Sequence, residues 1–132
     1  MKLHADAQAS LNTVTGYGAD YIEINKVPFQ HSILMMPEGA VQTWDVQDFN
    51  ALTPAHFEAM LALDPALVIL GTGSKLRFAH PRLISPLTSR RIGVECMDMH
   101  AASRTYNILM AEGRNVLAAL ILEAPSVETP QA

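Results

Sequence analysis

The feature that most constrains this chain is a set of apolar runs in its second half, read in order as strand, helix, strand, helix, strand. "ALVILG" (66–71) is continuously apolar and rich in branched residues, and "RIGVECM" (91–97) and "NVLAALILE" (115–123) read as two further strands of the same kind. Such runs mark strands covered on both faces, and these belong to sheets flanked by other layers. The segments between them carry helix signals. His80-Pro81 opens "PRLISPLTS", where Pro86 implies a short or kinked helix. "HAASRTYNILMAEG" (100–113) is a helix that Asp98 is placed to cap and that Gly113 ends at its C′ position. This alternation predicts an α/β layer sandwich with functional groups at the carboxyl ends of its strands.

The first half has the shorter period of half-buried strands. In "YIEIN", Ile22 and Ile24 alternate with Tyr21 and Glu23. "VPFQHSILMM" continues in that mode, with Val27, Phe29, Ile33 and Met35 on one face and His31 among them. "PEG" then turns the chain into "AVQTWDV", a third short strand. The links are too short for crossover helices, so these strands are predicted antiparallel. Thr53-Pro54 starts a helix, with Phe57, Met60 and Leu61 on one face and Asp64-Pro65 as its stop. Trp44 and Phe49 are expected in the core.

With 132 residues and 49% hydrophobic content, the chain is expected to form one α/β domain over 1–123, followed by a polar, Pro-rich disordered tail over 124–132. Nine basic and 13 acidic residues leave a net charge of −4 without a basic run, which argues against nucleic acid as a partner. The longest apolar region, "MLALDPALVIL", is interrupted by Asp64-Pro65 and is too short to span a bilayer. The N-terminus lacks the pattern of a secretory or mitochondrial leader, so the cytoplasm is the expected location. Cys96 is the single cysteine and is expected to be a buried structural residue rather than a reactive thiolate.

The glycine pair in "VILGTGSKLRF" is the sharpest candidate site. A Walker A loop fails because Lys75 follows Ser74 and is itself followed by Leu76; a dinucleotide fingerprint starting at Gly71 fails because position 76 is not glycine. What remains is a turn at a strand end. There Gly71 and Gly73 permit positive φ or close backbone approach, and Thr72, Ser74, Lys75 and Arg77 are candidate anion ligands. Asp98, Arg104 and Asn107 form the second polar group. The last two lie on one side of their helix and are expected to bond the glycine loop or to bind a carboxylate or amide ligand. The five histidines show no ligand spacing, so no metal and no cofactor are expected.

Taken together, "ALVILGTGSKLRF", "IGVECMDMHAASRTYNILMAEGR" and "NVLAALI" resemble a small family of uncharacterised bacterial and archaeal proteins. That family also includes a mitochondrial complex I assembly factor and an adipogenesis-associated vertebrate protein. The resemblance covers about residues 15–123 and rests on Gly71, Thr72, Gly73, Met97, Asp98, Arg104, Thr105, Tyr106, Asn107, Glu112 and Arg114. It implies a three-layer fold in which a central mixed sheet carries helices and a smaller β layer. It also implies a non-enzymatic role in assembly through protein contacts, with respiratory-complex subunits as the class of partner. Met99 stands where the family usually has threonine, so the resemblance carries over no hydroxyl at that point, and an N-terminus without a presequence pattern is what the bacterial branch is expected to show.

Overall fold

The computed structural model describes residues 11–123. Strands β1 (Val14–Tyr17), β2 (Ile22–Ile24) and β3 (Val27–Phe29) make a small antiparallel sheet. Strands β4 (Ile33–Met35), β5 (Gln42–Thr43), β6 (Leu67–Gly71), β7 (Gly93–Met97) and β8 (Val116–Leu120) make a five-stranded sheet of order β5-β4-β8-β6-β7. β6 runs parallel to both β7 and β8, whereas β4 is antiparallel to β8 and β5, so the larger sheet is mixed. The helices are α1 (Pro54–Ala59), α2 (Pro81–Thr88) and α3 (Met99–Ala111).

The side chains of β8 alternate between two apolar clusters, which defines the layers. Val116, Ala118 and Leu120 join Ile69, the α3 residues Ala102, Tyr106 and Met110, and Val14, Ile22 and Ile24 of the small sheet. Leu117 and Ala119 point the other way, toward Phe57 and Met60 after the α1 start, Leu87 of α2, and Trp44. The central sheet is thus covered on one face by α3 and the small sheet and on the other by α1 and α2. Burial on both sides is why β8 tolerates no polar residue from Val116 to Leu120.

Local signals set the helix limits as expected. The Asp98 carboxylate accepts from the Ala101 backbone N–H at 2.9 Å, satisfying one free donor of the first turn. Gly113, at φ 85°, leaves α3 in the left-handed conformation that favours glycine. The His80 ring accepts from the Arg82 N–H at 3.0 Å and starts α2 ahead of Pro81.

Several expectations need correction. Residues 27–35 are not one strand: β3 and β4 belong to different sheets, and Val27 is 54% exposed while Ile33 and Met35 are buried. The chain changes sheets at Gln30–Ser32, where the buried Ser32 hydroxyl donates to Val46 O and accepts from Leu122 N. β7 is the sheet edge and has no fully buried residue, so "RIGVECM" is a half-covered strand and Cys96 is only partly buried. β1 carried no recognised strand signal. The tail expected over 124–132 lies outside the described residues.

Candidate functional site

Because β6 and β8 are parallel neighbours, their carboxyl ends lie side by side, and the chain joins them through the bond from Ile121 N–H to Gly71 O at 2.9 Å. The glycine loop leaves β6 at that point. Gly71 has no room for a side chain: a Cβ there would lie 2.9 Å from Leu120 Cδ2 and 3.2 Å from the Ala102 methyl. Gly73 has φ 95°, and a Cβ on it would lie 2.6 Å from the Glu123 carboxyl carbon. The two glycines therefore serve different needs, close packing at Gly71 and a left-handed turn at Gly73.

Thr72 closes the loop on itself. Its buried hydroxyl donates to Lys75 O at 2.6 Å and accepts from Arg77 N–H at 3.0 Å, while the Arg77 guanidinium donates to Thr72 O at 2.7 Å. Glu123, just past the end of β8, completes the arrangement. Its carboxylate accepts from both Ser74 N–H and the Ser74 hydroxyl at 3.2 Å and stands 3.3 Å from Arg77 Nη1. The Ser74 donors and the Arg77 guanidinium are thus engaged by the chain's own carboxylate. With the Arg77 and Glu123 side chains 31% and 28% exposed, the ion pair contributes only about 0–1 kcal/mol.

The expected polar cluster is divided by the structure. The loop does meet the start of α3, but through Met99, whose N–H donates to Gly73 O at 2.8 Å. Arg104 and Asn107 do not touch the loop. Arg104 is exposed and reaches the Tyr17 hydroxyl at 3.4 Å, and Asn107 donates to Val14 O and accepts from Val14 N–H at 2.8 and 2.9 Å. Their helix face is turned toward β1. Lys75 is exposed and enters the loop's bonding through its carbonyl.

A cleft of about 280 Å³ opens where the loop, the start of α3 and the end of β8 converge. Gly18, Ala19, Met99, Ile121 and Leu122 line it together with Gly73, Ser74, Asp98, His100 and Glu123. Of the candidate site residues singled out from sequence, Gly73, Ser74 and Asp98 line it. His100 stacks on Tyr17, with ring centroids 4.3 Å apart, and so fixes the wall between α3 and the small sheet. A second cleft of about 240 Å³, beside Ser32 and Trp44, shares Leu122 and Glu123 with the first. Among the described residues, no group of three or more His, Cys, Asp or Glu is placed to hold a metal ion. Chemically, the arrangement is the chain's own Glu123 carboxylate held by Ser74 and Arg77 at the rim of an apolar cleft. Sequence reasoning missed Glu123; the signal available was its position just after a buried parallel strand.

An α/β fold of this layering, with its glycine loop clasped at the carboxyl ends of two parallel strands, defines a class of small domain rather than a reaction. Residues 14–121 match the family described as "Protein of unknown function (DUF498/DUF598)", and the chain belongs to that family. A crystal structure of a protein from Bordetella parapertussis is 46% identical, with a TM-score of 0.81, covering 85% of this chain and 96% of that one. The mouse NADH dehydrogenase [ubiquinone] 1 alpha subcomplex assembly factor 3 is 36% identical over 90 residues, which are 67% of this chain and 48% of the mouse protein. This chain therefore spans about half the length of that assembly factor. The "13 kDa major membrane protein" of Francisella tularensis is 25% identical over 99 residues, 74% of this chain and 80% of that protein. Among the described residues, no helix is long and apolar enough to cross a membrane.

Proposed function

We propose that this chain is a non-catalytic protein-interaction domain that assists assembly of a respiratory NADH dehydrogenase from the cytoplasmic side, its partner being a subunit of that complex. The likeness to the mouse assembly factor supports the process. The structural observation that carries the reading is Phe78, 76% exposed immediately after the closed Thr72–Arg77 loop, with Leu76 51% exposed two residues earlier. An exposed aromatic directly after a segment fixed by internal bonds is held near one position before binding, and aromatic side chains are the usual anchors of protein interfaces. Lys75, exposed beside these apolar groups, favours a partner surface with acidic residues.

The reading is tested by deleting the gene and measuring assembled NADH dehydrogenase by native electrophoresis and NADH oxidation in isolated membranes. Deletion is expected to deplete the complex, wild type to restore it, and Phe78→Asp to fail while keeping its thermal midpoint. An intact complex in the deletion strain would contradict the reading.

A further inference from the structure

We infer that Ser74 and Arg77 form a binding site for an exogenous carboxylate carried on a short apolar body, and that Glu123 occupies this site in cis until such a ligand displaces it. The inference stands apart from the assembly reading, and either can fail alone. Three donor groups, the Ser74 N–H, the Ser74 hydroxyl and Arg77 Nη1, are gathered within 3.3 Å of one carboxylate. Nothing in that set requires the carboxylate to be the chain's own. The contact is partly open to solvent on both sides, so it can exchange for an equivalent one.

The surroundings specify the rest of the ligand. Ser74 and Glu123 sit at the rim of the 280 Å³ cleft, and beyond them Gly18, Ala19 and the edges of Met99 and Leu122 offer an apolar wall. Ser74 lines the cleft, so a carboxylate held there leaves a short aliphatic chain within reach of that wall. A bare anion gains nothing from it. Glu123 also lines the second cleft, so its departure would alter both. A tethered carboxylate competes at the high effective concentration of an intramolecular group, which predicts weak binding to wild type and tighter binding once Glu123 is removed.

The test follows the backbone amide resonances of Ser74 and Arg77 in the full chain during titration with acetate, hexanoate, N-acetyl-Leu-Val and inorganic phosphate. Glu123→Ala should bind hexanoate or the dipeptide at least about tenfold more tightly than wild type, and about tenfold more tightly than acetate, the effect of burying roughly two methylene groups. Preference for hexanoate assigns a free carboxylic acid, and preference for the dipeptide assigns the C-terminus of a protein. Adding Arg77→Met should abolish the response. Glu123→Gln, which keeps the side-chain volume, should fall between wild type and Glu123→Ala, and it provides the same comparison if the alanine variant folds poorly. Equal affinity for phosphate, acetate and hexanoate, or no saturable response in either folded variant, would overturn the inference.

Discussion

Asn107 grips Val14 by both backbone groups, donating to its carbonyl at 2.8 Å and accepting from its N–H at 2.9 Å across 93 residues of sequence. This pair of bonds docks the small sheet on α3. Asn107→Ala would leave both Val14 groups without their partner and should cost about 1–3 kcal/mol. Arg104→Ala, three residues earlier on an exposed position, should stay within about 0.5 kcal/mol of wild type. Urea unfolding of the two variants checks the contrast, and a larger loss for Arg104→Ala would show that the docking bonds are misassigned.

Tyr106 supplies a second tie from α3, its buried hydroxyl donating to Asn12 O at 2.8 Å. Burial pushes this hydroxyl well above the ordinary tyrosine value of 10.0. The folded state thus holds its proton where the unfolded chain loses it. The contribution is fully present below the unfolded value and is lost as pH rises beyond it toward the folded one. Stability should decline above about pH 10. Tyr106→Phe should begin about 0.5–1.5 kcal/mol less stable at neutral pH and show a shallower alkaline decline. Denaturation midpoints from pH 8 to 11 measure both effects; parallel curves would remove Tyr106 from the account.

Gly71 and Gly113 separate steric from conformational demands. A methyl group at Gly71 meets Leu120 and Ala102, so Gly71→Ala should destabilise by about 1–3 kcal/mol through overpacking. Gly113 has open space around it but φ 85°, so alanine should cost about 1 kcal/mol while asparagine, which tolerates this conformation, should cost less. Thermal unfolding of the three variants provides the comparison. Equal losses for alanine and asparagine at 113 would contradict the conformational reading.

The second half of the fold was legible because its signals are local: the apolar run of β8, the Asp98 cap and Gly113 each act within a few residues. β1 was not, since Thr15 and Gly16 break its apolar pattern and its anchor, Asn107, is remote in sequence. The division of residues 27–35 depends on Ser32 meeting Val46 and Leu122, which no short motif encodes. At the candidate site, helical spacing puts Arg104 and Asn107 on one side of α3, and both reach β1. It could not say which layer that side would face. Glu123 remained hidden because a strand-end carboxylate acquires meaning only when Ser74, 49 residues away, is brought to it.

The central claim is that Glu123, and not Arg104, clasps the glycine loop, and a double-mutant cycle tests it most directly. Gly73→Ala should cost about 1 kcal/mol or more from its positive φ, with an added penalty because the new methyl meets the Glu123 carboxyl group. In a Glu123→Ala background that added penalty disappears, so the two changes should couple by about 0.5 kcal/mol or more, whereas Gly73→Ala and Arg104→Ala should be additive. Equilibrium urea unfolding of the single and double variants yields both coupling energies. Additivity with Glu123 together with coupling to Arg104 would contradict the account.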